Sequence, residues 1–165
     1  MNDEAVINLK DGIFSCPWKV SPKLVDYNGH MNDAEYGRIF SRTLDRWIDA
    51  LGLDERGKAD YQYTFFTLEA HICYLKEVNE GEAITVFPQV IDRDEKRIHL
   101  IMIMKNGEKE RVATSEQMVM GMDKETNRPA PFPRPMQDSL QEYHRAQQDL
   151  ATPEEVGRKI GIRKK

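Results

Sequence analysis

The sequence predicts an α+β protein in which an antiparallel sheet of five strands wraps around one long helix. Three features indicate this: five stretches of strand-like alternation, one long stretch of helical periodicity, and an Asn106-Gly107 pair typical of a hairpin turn. An antiparallel sheet with one apolar face needs a cover, and the long helix is the element able to supply it. A helical tail follows the last strand.

The first strand is expected at Ile13 to Val20, where alternate residues are apolar. Pro17 lies inside it and favours an edge position, because proline cannot donate to a strand ladder. A polar loop then leads to the long helix.

The long helix is predicted from Asp33 to Leu51, because its apolar residues recur at helical spacing. Asn32 is a suitable N-cap, and Glu35 three residues later suggests a capping box. Gly52 follows as a C-terminal stop. The start of this helix is therefore well marked.

Four further strands and a helical tail complete the chain. Alternation predicts strands at Tyr63 to Leu75, Ala83 to Asp92, Arg97 to Lys105 and Glu110 to Met122. In the first of these, Phe66, Leu68, Ala70, Ile72 and Tyr74 are expected on one face, with Thr67, Glu69, His71 and Cys73 on the other. Helices are expected at Met136 to Leu150 and Thr152 to Ile160.

Length and composition describe a folded globular protein. The chain has 165 residues, 39% hydrophobic and 32% charged, which suits one main domain at residues 1–135 with an extension at residues 136–165. The net charge of -4 is spread without a basic stripe, so we expect no nucleic-acid partner and no anionic membrane surface.

Cellular location is inferred from three features. The apolar run from Ile98 to Met104 is too short to span a bilayer. The segment from Met1 to Asp11 lacks the apolar stretch of a signal peptide. Cys16 and Cys73 have the spacing of neither a redox pair nor a zinc site. We therefore expect a cytoplasmic protein with reduced thiols.

The loop before the long helix concentrates groups able to do chemistry. It contains Asp26, Asn28, Gly29 and His30 within five residues. From the residues alone, Asp26 and Asn28 could simply form turn hydrogen bonds while Gly29 adopts a positive φ. A functional reading needs further support.

That support comes from a family resemblance. The run from Asp26 to Asp33 resembles the active-site loop of hotdog thioesterases of the 4-hydroxybenzoyl-CoA type, where an aspartate follows the first strand and a glycine lies three residues on. Together with Glu35-Tyr36, Thr67 to His71 and Tyr74-Leu75, it is most similar to the branch also found fused to carnitine dehydrogenases and associated with betainyl-CoA. The resemblance covers roughly Val20 to Phe132.

The resemblance implies a hotdog fold and hydrolysis of a small acyl-CoA, with betainyl-CoA as a candidate substrate. Coenzyme A would be part of the substrate, with no separate cofactor, and the protein would be a homodimer or homotetramer. Asp26 would be the key carboxylate, acting as general base or as nucleophile. Asn28 and Gly29 would help to bind the substrate, and His30 would orient the loop or the substrate.

The helix start offers a site for the developing charge on the thioester oxygen. If Asn32 caps the helix, the backbone N–H of Asp33 or of a neighbour stays free to polarise the carbonyl, aided by the helix dipole. Glu69 is the expected partner of a cationic acyl group, and His71 shares its strand face. A metal site is not expected, because Asp26, His30 and either His71 or His99 lack ligand spacing.

Two other functions stay open. Hotdog enoyl-CoA hydratases use an Asp and a His in a similar loop, but with proline after the Asn and a longer spacing. Here Gly29 follows Asn28, and His30 lies four residues after Asp26, which counts against hydration. A non-catalytic module that binds acyl thioesters is the second alternative.

Overall fold

The computed structural model describes residues 4–164, so Met1 to Asp3 and Lys165 lie outside the description. The helices and strands, in chain order, are β1 (Val6–Asn8), β2 (Ile13–Lys19), α1 (Asp33–Ile48), α2 (Glu55–Asp60), β3 (Tyr63–Tyr74), β4 (Ala83–Arg93), β5 (Arg97–Asn106), β6 (Arg111–Asp123), β7 (Arg128–Pro129) and α3 (Arg134–Ala146). The five predicted strands and the long helix are confirmed, and β1 and β7 are short additions.

The strands form one antiparallel sheet in the order β1-β2-β4-β5-β6-β3, with β7 paired to β6. β1 covers β2 only from Ile13 to Ser15. Pro17 therefore lies where the outer side of β2 has no neighbouring strand among the described residues, as its missing N–H requires. β3 forms the opposite edge of the sheet.

Helix α1 lies against one face of this sheet and buries an apolar stripe. Its buried side chains are Tyr36, Ile39, Phe40, Thr43, Leu44, Trp47 and Ile48. They pack against sheet residues such as Leu100, Met102 and Val119 in a single core cluster. After Ile48 the helix continues as one wider turn and ends at Gly52. The φ of 105° at Gly52 confirms the predicted helix stop. The fold is the predicted α+β hotdog.

The face alternation predicted for β3 is wrong in its first half. The register with β6 shifts between Thr67 and Glu69, which leaves Leu68 as an extra residue. A bulge of this kind reverses the alternation. Thr67 and Ala70 consequently stand on the side of α1, since their partners on β6 are Val119 and Gln117.

The C-terminal region differs from its prediction. Helix α3 spans Arg134–Ala146 rather than Met136 to Leu150, so the boundary expected at residue 135 falls within its first turn. It packs into the same core through Met136, Leu140 and Tyr143. The helix predicted from Thr152 to Ile160 is wrong, because this segment forms turns held by tertiary contacts.

Two tertiary contacts explain that turn conformation. Glu155 is buried and its Oε2 lies 3.0 Å from Nη1 of Arg111. The backbone N–H of Gly157 donates to Glu116 at 2.8 Å. No helix within residues 4–164 is long and apolar enough to cross a membrane.

Candidate active site

The loop between β2 and α1 closes into a tight turn around Asp26. The N–H of Asp26 donates to the carbonyl of His30 at 2.9 Å, and the N–H of Gly29 donates to the carbonyl of Asp26 at 3.0 Å. Gly29 has a φ of 78°, which side chains with a Cβ rarely adopt. The sequence therefore specifies this turn through its glycine.

The carboxylate of Asp26 is held by one oxygen only. Its Oδ1 accepts from the N–H of Asn28 at 2.8 Å and from the N–H of His30 at 3.4 Å. No donor to Oδ2 is found among residues 4–164, and the side chain is half-buried. The turn thus orients the carboxylate and leaves one oxygen able to act on a ligand.

The segment after β3 holds this turn in place. The N–H of Met31 donates to the carbonyl of Val78 at 2.7 Å, and the N–H of Glu80 donates to the carbonyl of Gly29 at 3.1 Å. The His30 ring points to this segment, with Nε2 at 3.4 Å from Oε2 of Glu77. His30 therefore ties the loop to its neighbour through its ring and to Asp26 through its backbone.

The start of α1 leaves one backbone donor free. Oδ1 of Asn32 accepts from the N–H of Ala34 at 3.0 Å, as the predicted cap requires, and the carbonyl of Asn32 accepts from Glu35 at 2.9 Å. Within the described chain, the N–H of Asp33 donates to no protein atom. It lies at the positive end of the helix dipole and can stabilise negative charge on an oxygen.

The predicted capping box is wrong. The N–H of Asn32, which Glu35 was expected to accept, donates instead to the carbonyl of Leu24 at 2.9 Å. The largely buried Glu35 side chain instead lies beside Arg38, with its Oε2 3.1 Å from Nε of Arg38. A tertiary contact has therefore replaced the local one.

Two tyrosines lie beside the first turn of α1, and the sequence assigned neither a role. The hydroxyl of Tyr74, the last residue of β3, donates to the carbonyl of Asp33 at 3.2 Å. Its ring meets that of Tyr36 edge to face, with centroids 5.2 Å apart. Burial raises the pKa of both hydroxyls. Tyr74 stands on the helix side of β3 with Ala70 and Ile72, as alternation predicts for the second half of this strand.

The structure does not bring Glu69 and His71 to this loop within one chain. Both stand on the sheet face away from α1, since their β6 partners are Met118 and Glu116. They line an open cleft of about 500 Å³ together with His99, whose Nε2 lies 2.7 Å from Oε1 of Glu116. Glu69 is also five residues from Tyr74, roughly 17 Å along the strand.

The sequence was compared with protein families and with known proteins. Residues 20–141 match the model of the thioesterase-like superfamily. A betainyl-CoA thioesterase of Pseudomonas aeruginosa is 38% identical over 147 residues, which cover 87% of this chain and 91% of that protein. An L-carnitine dehydrogenase/betainyl-CoA thioesterase from a Rhizobium species is 34% identical over 87% of this chain, and the match spans only 29% of that longer protein.

Solved structures show the same architecture. A hypothetical protein from Staphylococcus aureus, solved in complex with CoA, superposes with a TM-score of 0.88 at 32% identity and covers 99% of this chain and 98% of its own. A DHNA-CoA thioesterase from the same species superposes with a TM-score of 0.68 at 16% identity, over 81% of this chain and 89% of its own. This second likeness concerns the fold alone.

Proposed function

Because the chain belongs to the thioesterase-like superfamily and is an acyl-CoA thioesterase, we propose that it hydrolyses a short acyl-CoA whose acyl group carries a permanent positive charge, as in betainyl-CoA. Two relatives support this substrate class, since the name of each includes a betainyl-CoA thioesterase. The surroundings of the loop agree with it in charge, because Asp26, Asp33 and Glu77 are all acidic.

One observation carries the mechanism: within residues 4–164, one carboxylate oxygen of Asp26 and the backbone N–H of Asp33 at the start of α1 both lack a protein partner. Oδ2 of Asp26 takes a proton from a water molecule, and the water oxygen attacks the thioester carbon. The carbonyl oxygen gains negative charge, which the N–H of Asp33 and the helix dipole stabilise. The carbon–sulfur bond then breaks, and the departing thiolate receives the proton from Asp26.

The remaining loop residues position these groups. Asn28 and His30 orient the Asp26 carboxylate through their backbone N–H groups. Gly29 permits the turn, and Asn32 caps the helix so that the Asp33 N–H stays available. Within one chain Glu69 and His71 stand on the other face of the sheet, so the steps above use neither side chain.

A homodimer is part of the proposal. β3 ends the sheet, so one side of its backbone lacks a strand partner among the described residues. Its exposed side chains include Phe66 at 48% and Leu68 at 51%. An apolar unpaired edge can pair with the same strand of a second copy.

The proposed location of the reaction is the cytoplasm. This reducing compartment suits the unpaired thiols of Cys16 and Cys73.

Thiol release from three thioesters tests this function: betainyl-CoA, its neutral isostere 3,3-dimethylbutyryl-CoA, and crotonyl-CoA. We expect every thioester that reacts to release free coenzyme A, and betainyl-CoA to have the highest kcat/KM. Loss of the enoyl absorbance of crotonyl-CoA without thiol release would instead identify a hydratase. Binding of all three without any reaction would identify a non-catalytic module.

A further inference from the structure

The Tyr74 ring is fixed at the proposed site yet half open to solvent. Its hydroxyl donates to Asp33, and its ring contacts that of Tyr36 edge to face, with an interplanar angle of 89°. Tyr36 is buried at 4% exposure, whereas Tyr74 is 52% exposed. The hydrolysis described above uses neither ring. An ordered aromatic surface therefore lies beside the first turn of α1 without an assigned role.

The charge around this ring favours a cation. Burial raises the pKa of the Tyr74 hydroxyl, and the negative charge of the Asp33 carboxylate raises it further. The ring therefore lies in a negative electrostatic environment. Glu77 follows Tyr74 by three residues, and its Oε2 lies 3.4 Å from Nε2 of His30. The nearby cation Lys76 is already paired with Glu110 at 2.6 Å.

The chemistry of the substrate places its charge near this ring. In a betainyl thioester the quaternary nitrogen is bonded to the carbon next to the carbonyl. When the Asp33 N–H holds the carbonyl oxygen, the ammonium group lies beside the first turn of α1. A quaternary ammonium cannot lose its charge by deprotonation, so the site must compensate it. Aromatic faces do so in many proteins that bind such groups.

Four of the other aromatic side chains, the two tryptophans, Tyr61 and Tyr63, do not meet this need. Trp47 and Tyr63 are buried in the core, at 0% and 4% exposure. Trp18 already has the Arg46 guanidinium over its ring, 4.5 Å from the centroid. Tyr61 is exposed but lies at the end of α2.

We infer that the ring of Tyr74 is the surface that recognises the quaternary ammonium group of the acyl chain, and that it sets the preference for a cationic over a neutral acyl-CoA. This inference rests on the proposed function. It assigns Tyr74 to specificity and leaves the chemistry with Asp26 and Asp33.

The test compares kcat/KM for betainyl-CoA and 3,3-dimethylbutyryl-CoA, which have the same shape and differ in charge. Tyr74→Leu should lower the betainyl-to-neutral ratio about fivefold or more, the scale of a lost cation–π contact. Tyr74→Phe keeps the ring and should hold the ratio within about twofold, although it loses the bond to Asp33. Tyr61→Leu is the matched control, because Tyr61 is an exposed tyrosine remote from the proposed site.

The outcomes separate this inference from the proposed function. Equal losses for both substrates in Tyr74→Leu would show a structural role and overturn the inference, while the thioesterase assignment stands. A ratio that falls in Glu69→Gln but not in Tyr74→Leu would assign the cation to the opposite face and also overturn it. A wild-type enzyme with no preference for the cationic substrate would remove the substrate proposal itself, and this inference with it.

Discussion

At the scale of single residues, Asp26 has two roles in one carboxylate. Oδ1 accepts from the turn that it helps to form, and Oδ2 is left for the substrate. The turn-forming role of Asp26 and its proposed catalytic role are therefore compatible. The turn hydrogen bonds hold the catalytic group in one orientation, which lowers the entropy cost of the reaction.

Gly29 is the residue on which this orientation depends. Gly29→Ala should lower the free energy of unfolding by about 1–2 kcal/mol, because a Cβ is disfavoured at positive φ. A Cβ there would meet no atom within 4 Å, so backbone conformation is the sole cause. We also expect kcat to fall about tenfold or more as Asp26 is displaced.

Thermal melting and steady-state kinetics check the Gly29 prediction. Gly29→Asn should recover part of both losses, since asparagine tolerates this conformation. Gly107→Ala is the control, because Gly107 has an equally open surrounding without a positive φ. Unchanged stability and turnover in Gly29→Ala would contradict the role of the turn.

Local residue chemistry predicted part of this site. Asn32 could be identified as the cap because its type and position fix what its side chain does. The hydrogen-bond partner of the Asn32 N–H could not be identified from the sequence, because the path of the preceding loop brings the carbonyl of Leu24 to it. The same holds for Tyr74, whose contact with Asp33 joins residues 41 positions apart.

At the scale of elements, the end of α3 completes the sheet where the pairing of β2 with β4 stops. β2 pairs with β4 only up to Val86, so that later β4 groups have no strand partner on that side among residues 4–164. The Gln147 side chain accepts from the N–H of Val90 at 2.9 Å and donates to the carbonyls of Pro88 and Gly12, each at 3.1 Å. One amide thus takes the place of a strand and anchors the end of α3.

Gln147→Leu should therefore lower the free energy of unfolding by about 2–4 kcal/mol, because buried backbone groups lose their partners. Gln148→Leu, the exposed neighbouring glutamine, should change it little. Chemical denaturation of both variants measures the difference. Equal stability of the two variants would show that α3 is held without this side chain.

Periodicity predicted the elements well and their irregularities poorly. The strands and α1 follow directly from apolar spacing. The bulge at Leu68 does not, since an extra residue reverses the faces without altering the sequence pattern. The segment from Thr152 has helix-starting residues, but the contact of buried Glu155 with Arg111 and the Gly157 contact select turns instead.

At the scale of the whole molecule, the two sheet edges differ. At one edge, β1 covers the first part of β2, and Gln147 after α3 caps groups of β4 beyond it. β3 has no such cover among residues 4–164 and exposes Phe66 and Leu68. The uncovered edge is therefore the expected site of self-association.

The double variant Phe66→Lys/Leu68→Lys should be monomeric at micromolar concentration, because two charges on the exposed edge oppose strand pairing. Light scattering after size exclusion measures this, with wild type expected as a dimer or a tetramer. Ile7→Lys on the opposite edge is the control and should not dissociate the protein. A monomeric wild type with full activity would remove the dimer from the account.

The central claim is that the Asp26 carboxylate activates water for thioester hydrolysis. Its most direct test is thiol release from betainyl-CoA by Asp26→Asn, which preserves the volume and the turn acceptor at Oδ1. We expect kcat to fall by about 100-fold or more with the melting temperature nearly unchanged. Asp60→Asn, an exposed carboxylate on α2, should retain wild-type turnover. Near wild-type thiol release by Asp26→Asn would contradict the account.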